Sequence, residues 1–382
     1  MTDAPCRPKV RAMAAPIPFD APVTRTIRPL RSDIAAPVAL GLGVSYQLQA
    51  RPGSSAIGNP SPEQSVALIG AGSIGMAWAV VFASAGFPVR LHDPDPARLE
   101  TAHAEAAERL RDLAEFSLID ERPEACAARI GLAKSLEEAV SGTAYVQENA
   151  PENETVKRDL FARIATAARA DAVIASSSSF LPASRFAADV TGRERCLVVH
   201  PGNPPFLIRI AEVVPAPFTS PETVAKAERI LAAAGMAPVR IGREVDGFVF
   251  NRLQGAMLRE AWCLVRDGVA SVADIDRIVK DGLGLRWSVI GPFETSDLNT
   301  RGGIAAHAAR MGPAYRRMGR ERGQDDPWAD ELVARVEAER RASLPIEGWA
   351  ERVGWRDRAM MALLRARRAD PSLAEPQDGN SG

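Results

Sequence analysis

Gly70, Gly72 and Gly75 form a complete G-x-G-x-x-G inside "VALIGAGSIGMAWAVVFASAGFPVRLHDPD", residues 66–95. Residues of this type at this spacing make a backbone cradle for a pyrophosphate. Gly70 permits a tight turn after a strand. Gly72 has no Cβ to hold the backbone away from a ligand, and Gly75 lets the next helix pack closely on the strand. Ser73 and Ile74 complete the cofactor-binding stretch at the start of that helix, where free N–H groups and partial positive charge favour an anion. Asp93 lies 18 residues beyond Gly75, after a second apolar run. A carboxylate there takes adenosine ribose hydroxyls and repels a 2′-phosphate, which favours NAD over NADP. The competing interpretation is a bare turn between strand and helix.

The chain has four histidines. His92, His103 and His307 read as surface or packing residues. His200 ends the apolar run "CLVVH", at the carboxyl end of an expected strand, where α/β sheets bind their ligands. A proton-accepting imidazole there suits alcohol oxidation; position alone equally admits a satisfied core histidine. Glu212, between Ala211 and Val213 in the next apolar run, is costly to bury unless paired, and a nearby imidazolium offsets that cost. A surface glutamate on an edge strand is the alternative. The run Ser176–Ser179 follows "AVIA" and offers hydroxyls to a substrate oxygen, or is a plain polar loop. Asn251 opens a long helix, as a donor into a cleft or as an ordinary helix-interior polar residue.

These groups need a scaffold. Ser65–Gly70, Pro88–His92, Ala128–Leu132, Ala144–Gln147, Ala172–Ala175, Cys196–Val199, Glu212–Val214 and Ala237–Ile241 read as strands. Ser73–Gly86, Pro96–Leu113 and Asn153–Ala168, the last capped by Asn153, read as helices. The alternation predicts a Rossmann-type doubly wound α/β sheet over 64–245. After Gly247 strand signals stop, and Phe248–Asp267, Val272–Gly282, Trp328–Glu339 and Trp349–Arg367 read as helices of an all-α domain over 246–367. Residues 1–63 are rich in Pro, Ala and Arg without sustained period and read as a disordered extension, an overlong start or an arm over a partner subunit. Prolines and scattered acids there fit a transit peptide poorly. Residues 368–382 read as a flexible tail.

A net charge of −1 over 382 residues argues against nucleic-acid binding. No apolar run reaches the roughly 20 residues of a membrane span. The four cysteines show no metal-ligand spacing and read as free thiols in a reducing compartment, which places the chain in the cytoplasm with no metal.

"VQENAPENETVKRDLF", "SSSSFLP", "HPGNPPFLIRIAEVVP", "DGFVFNRLQ" and "DGLGLRWSVIGPFET" occur in this order. Together they resemble the 3-hydroxyacyl-CoA dehydrogenase superfamily, and most of all its λ-crystallin/L-gulonate 3-dehydrogenase branch, from about Ser65 to about Arg367. The resemblance implies NAD as cofactor and a C-terminal domain like that of 6-phosphogluconate dehydrogenase. It implies His200 as general base and Glu212 as its acidic partner, with Ser179 and Asn251 on the reacting oxygen. Glu152 and Lys157 match positions lining the NAD site.

The segment from Asp93 to Ala144 looks shorter than the arm with which acyl-CoA members grip CoA, and it holds a single lysine, Lys134. Arg286 is the candidate clamp for a free carboxylate, or a structural or dimer salt bridge. The expected substrate is therefore a small L-3-hydroxy acid such as L-gulonate. Carnitine, whose ammonium wants an aromatic cage near Trp287 and Phe293, and a 3-hydroxyacyl-CoA are the alternatives. An NAD-binding structural or sensing protein is the non-enzymatic one. The apolar runs "GAMLREAWCLV" and "WSVIGPFET" predict a homodimer through the helical domain.

Overall fold

Val66–Ile69 (β1) is apolar and buried at every position, as a strand covered on both faces requires. A computed structural model describes residues 65–370, apart from 289, 302, 323–330, 333, 336, 337, 339–341, 343 and 344. The N-terminal 1–63, much of the expected helix Trp328–Glu339 and the tail from 371 onward lie outside the described residues.

From β1 the chain turns through the glycines into α1 (Ser73–Ser84) and returns in β2 (Val89–His92). Helix α2 (Pro96–Glu115) starts on Asp95, whose side chain accepts from Ala97 N, with proline in its first turn. Then come α3 (Pro123–Ala127), β3 (Ile130–Leu132), α4 (Leu136–Val140) and β4 (Tyr145–Glu148). Helix α5 (Glu154–Ala167) is capped by Asn153, which accepts from Val156 N as expected. The series continues through β5 (Val173–Ser176), α6 (Ala183–Phe186), β6 (Cys196–Pro201), β7 (Ile210–Pro215), α7 (Pro221–Ala233) and β8 (Ala237–Arg240).

The eight strands form one sheet in the order β3-β2-β1-β4-β5-β6-β7-β8. The order reverses between β1 and β4, so the loops after these two strands diverge and leave a crevice at their carboxyl ends. Among the described strands only the β6–β7 pair is antiparallel; β8 is parallel to β7, so these two strands run opposite to the rest of the sheet. The connection 202–209 holds no helix, so the chain reverses beside β6. Helix α7, absent from the sequence reading, makes the crossover that lets β8 run parallel to β7. Alternate residues of β1 face opposite sides: Val66 and Leu68 join Trp78, Phe82 and Tyr145, while Ala67 and Ile69 join Phe161 and Phe186.

Beyond β8 the described residues contain no strand. Helix α8 (Phe250–Arg266) leads to α9 (Val272–Arg277), a π-helical turn at Ile278–Leu283, α10 (Gly284–Trp287), α11 (Pro292–Leu298) and α12 (Gly303–Arg322). The expected helix Val272–Gly282 is thus interrupted after Arg277 and runs on to Trp287. The helix Trp349–Ala369 returns to α2, where Arg358 pairs with Glu115 at 2.6 Å and Met361 is buried. These helices leave much apolar surface open: Leu253 is 64% exposed, Leu285 66% and Phe293 83%. No described helix is long and apolar enough to cross a membrane.

Candidate active site

The glycine turn sits at the crevice and each glycine has a distinct role. Gly70 has φ of 102°, a left-handed conformation that disfavours side chains. A Cβ on Gly75 would lie 1.9 Å from Gly70 O, so α1 stands directly on the turn. A Cβ on Gly72 meets nothing within 4 Å and would project into open space. That open space, faced by first-turn N–H groups that no side chain caps, fits a pyrophosphate. Ser73 is exposed and Ile74 half-buried. Asp93 is fixed against the turn: its Oδ2 accepts from Ala71 N at 2.7 Å and its Oδ1 from Asp95 N at 2.9 Å. A cavity of about 670 Å³ runs between Gly70, Gly72, Asp93, Arg98, Asn149 and Arg163. His92 also lines it, with Nδ1 3.1 Å from Ala133 O, so this histidine belongs to the nucleotide side rather than to plain surface or packing.

His200 and Glu212 face each other directly in the antiparallel β6–β7 register. His200 Nδ1 lies 2.8 Å from Glu212 Oε2, and both side chains are nearly buried. Glu212 is therefore an interior residue, not an edge-strand surface one. Its Oε1 accepts from Val249 N at 2.8 Å and Phe250 N at 2.9 Å, the first N–H groups of α8. Burial pushes the Glu212 carboxyl up. The hydrogen bond from His200 and those from Phe250 and Val249 outweigh this and hold it below its ordinary value. The turn that delivers these N–H groups has left-handed backbone at Gly247 (φ 71°), which glycine adopts freely, and at Phe248 (φ 47°), where the side chain makes it strained. Phe248 is fully buried, its ring centroid 5.8 Å from that of His200. With Nδ1 committed to the carboxylate, Nε2 of His200 is left without a hydrogen-bond partner among the described residues.

The serine run divides its labour. Ser176 donates to Glu148 at 2.5 Å, Ser177 to Asn149 at 2.8 Å, and Ser178 to Glu152 at 2.5 Å. Ser179 makes no side-chain hydrogen bond with a described residue, which leaves its hydroxyl available. Asn251 Nδ2 donates to Ser179 O at 3.1 Å, so these two residues are brought together. Glu152 organises the loop from its far side, accepting from Ser179 N, Phe180 N and Leu181 N as well as from Ser178 Oγ. Burial raises its carboxyl pKa, and these hydrogen bonds more than reverse that, leaving it lowered. Lys157 lies beneath the site rather than along its wall. It is 1% exposed, and its ammonium donates to both oxygens of Glu148 at 3.0 and 2.9 Å. Burial pushes the Glu148 carboxyl up, opposed by the Lys157 ammonium and the Ser176 hydroxyl. The sequence reading did not single out Gln147, Glu148 or Asn149. Their signal is three consecutive polar residues ending an apolar strand.

Arg286, on α10, is exposed, and its guanidinium makes no hydrogen bond or ion pair with a described residue. No hydrogen bond or ion pair among the described residues joins it to His200, Glu212, Ser179 or Asn251.

Two family models match the chain. The 3-hydroxyacyl-CoA dehydrogenase NAD binding domain covers residues 65–245, and the C-terminal domain of the same family covers residues 247–346. A lambda-crystallin homolog of Bos taurus is 37% identical over 326 residues, 84% of this chain and 99% of that protein. An L-carnitine dehydrogenase of Streptomyces griseus is 38% identical over 334 residues, 83% of this chain and 93% of that one. Among solved structures, a 5-formyl-3-hydroxy-2-methylpyridine 4-carboxylic acid 5-dehydrogenase, an NAD+-dependent dismutase, superposes with a TM-score of 0.69. It is 27% identical and spans 79% of this chain and 98% of its own.

The two inner glycines are separable by experiment. Gly72→Ala is expected to fold with near-normal thermal stability, because its Cβ meets only open space, while NADH affinity measured by calorimetry falls at least about tenfold. Gly75→Ala is expected to lower the unfolding temperature itself. Glu212 has its own signature. Its folded pKa lies below the unfolded one, so its contribution is complete above the ordinary value of 4.5 and is lost as pH falls through the folded value. In urea denaturation near pH 7, Glu212→Gln is expected to cost roughly 1–3 kcal/mol, and the gap to wild type narrows in acid.

Proposed function

This chain belongs to the 3-hydroxyacyl-CoA dehydrogenase family, and from that premise we propose that it oxidises the 3-hydroxyl of a small free L-3-hydroxy acid of the L-gulonate type to the 3-keto acid. It is an NAD-dependent oxidoreductase acting on a CH–OH group. We assign residues 64–245 to the NAD-binding domain and 246–367 to a substrate and dimerisation domain.

The observation that carries the proposal is the 2.8 Å contact between His200 Nδ1 and Glu212 Oε2. The carboxylate holds a proton on Nδ1, which makes the free Nε2 the basic nitrogen. Nε2 takes the hydroxyl proton as the C–H bond breaks, and Glu212 stabilises the resulting imidazolium. Two donors converge on the substrate oxygen: the free Ser179 hydroxyl and the second amide hydrogen of Asn251, whose first is held by Ser179 O. NAD, when bound, would supply the hydride acceptor, and the residues that would hold it are the Gly70–Gly75 turn for its pyrophosphate and Asp93 for its adenosine ribose. Glu152 shapes the Ser179 loop beside it, and Lys157 supports the floor through Glu148. Arg286, whose guanidinium has no partner among the described residues, clamps the substrate carboxylate.

A second substrate, carnitine, is favoured by one observation. The rings of Phe180 (57% exposed), Trp287 (41%) and Phe293 (83%) are open, as a cage for a quaternary ammonium needs. We further propose a homodimer through the helical domain. Leu253, Met257 and Leu258 lie exposed along α8, a stripe more apolar than a monomer leaves in water. The described cysteines are free and buried, which suits the reducing cytoplasm.

NADH formation followed by absorbance with L-gulonate, other 3-hydroxy acids, carnitine and 3-hydroxybutyryl-CoA is expected to give the highest kcat/KM with a free hydroxy acid. A decisive preference for the CoA ester would reject the proposal. His200→Ala is expected to lower kcat at least about 100-fold while NADH still binds; near-normal turnover would remove the base from the scheme. Light scattering is expected to give a dimer for the wild type and a monomer for the Leu253→Glu/Met257→Glu variant.

A further inference from the structure

Four strands end in a continuous chain of hydrogen bonds that the scheme above does not use. Tyr145 Oη donates to Gln147 Oε1 at 2.5 Å. Gln147 Nε2 donates to Ser177 Oγ at 2.7 Å and to Val199 O, the carbonyl just before His200, at 3.1 Å. Trp78 Nε1, from α1, donates to the same Ser177 Oγ at 3.1 Å. The Ser177 hydroxyl donates onward to Asn149 Oδ1 at 2.8 Å. Asn149 Nδ2 then donates to Gln147 O at 3.0 Å and to Ile69 O, the last carbonyl of β1, at 3.4 Å.

Every polar side-chain hydrogen in the chain is donated. An indole N–H only donates, and a hydroxyl has one hydrogen and two lone pairs. Ser177 uses all three: two donors arrive and one hydrogen leaves. Gln147 uses both amide hydrogens and its oxygen, and Asn149 does the same. Each member has one orientation that satisfies its neighbours, so the whole set is pinned. Burial pushes the Tyr145 phenol well above its ordinary pKa, which keeps it a donor.

The ends of the chain carry its significance. At one end Asn149 underlies the glycine turn, where a Cβ on Gly70 would lie 3.0 Å from Asn149 O. At the other end Gln147 grips the peptide that carries His200. We propose that Ser177, with Gln147 and Asn149, is a positioning strap that sets the separation between the cofactor cradle and the catalytic base. This rests on the role given to His200 above. The strap touches neither the reacting hydroxyl nor the hydride acceptor; it acts through the glycine turn and the His200 peptide.

The test compares Ser177→Ala, Ser177→Thr and Gln147→Met in the full chain, reading NADH Kd by calorimetry, kcat and KM with the best hydroxy acid, and the thermal midpoint. Ser177→Ala is expected to weaken NADH binding about fivefold, the worth of a net hydrogen bond, and to lower kcat about tenfold through misplacement. KM for the hydroxy acid stays within about twofold, and Ser177→Thr, which keeps the hydroxyl, restores most of both losses. A packing role alone would lower the thermal midpoint and leave kcat and NADH Kd in place. Should Ser177→Ala not fold, Gln147→Met, similar in length and without the amide, carries the same comparison. Wild-type kcat and NADH Kd in the alanine variant, or a threonine variant as impaired as the alanine one, would overturn the strap. The NADH titration needs no substrate, so it reads the strap even if no hydroxy acid turns over. His200→Ala reads the base separately.

Discussion

One carboxylate, Glu212, joins three parts of the molecule. Antiparallel pairing sets it opposite His200 on the same face of the sheet. Its second oxygen holds the start of α8, whose N-cap residue, Val249, offers no side-chain acceptor of its own. A buried carboxylate is tolerable only when its lone pairs are met, and here an imidazole N–H and two backbone N–H groups meet them. The left-handed pair Gly247 and Phe248 is the backbone cost of this arrangement. The same left-handed turn sets the Val249 and Phe250 N–H groups on Glu212 and the Phe248 ring beside the imidazole.

The nucleotide side obeys a different constraint. Reversal of strand order between β1 and β4 opens a crevice, and the polypeptide around it is packed to backbone contact. Gly75 rests on Gly70, and Gly70 rests on Asn149. The closest of these contacts are between main-chain atoms, and the Asn149 and Asp93 side chains brace the turn beside them. Behind this layer lie Glu148, Gln147 and Ser176, all fully buried. Polar groups so placed are costly unless every donor and acceptor is matched, and once matched they define one arrangement.

Much of this was legible in the sequence. The glycine spacing, the acid after the second apolar run, and a histidine closing an apolar run all reflect local rules of strand, turn and helix start. Hydropathy also located the switch to helices after Gly247. The direction of β7 was not legible, because an apolar run reads the same either way and only the short connection decides. Helix α7 was missed, and without it β8 has no crossover. The end of β4 was cut at Gln147 because hydropathy falls there, although Gln147 and Glu148 are as buried as the valine before them. Lys157 illustrates the same limit. A lysine on a helix reads as solvent- or ligand-facing, and only the fold reveals the carboxylate beneath it.

Glu212 and Glu152 share a design that explains why so polar a crevice stays ordered. Each takes a side-chain donor, His200 or Ser178, and N–H groups from a loop that follows a different strand. Loops around an apolar ligand are held by packing, but a crevice that admits a charged dinucleotide has no such option near its mouth. Carboxylates substitute for packing. They fix loop backbone by directional bonds while leaving selected groups, Nε2 of His200 and the hydroxyl of Ser179, without partners among the described residues. The interior of the sheet has the opposite character, with Trp78, Phe82 and Tyr145 in mutual ring contact and sealed from water. Rigidity thus comes from dispersion and area in the core and from saturated hydrogen bonding at the strand ends. His200 and Ser179 occupy the boundary where one mode of order gives way to the other.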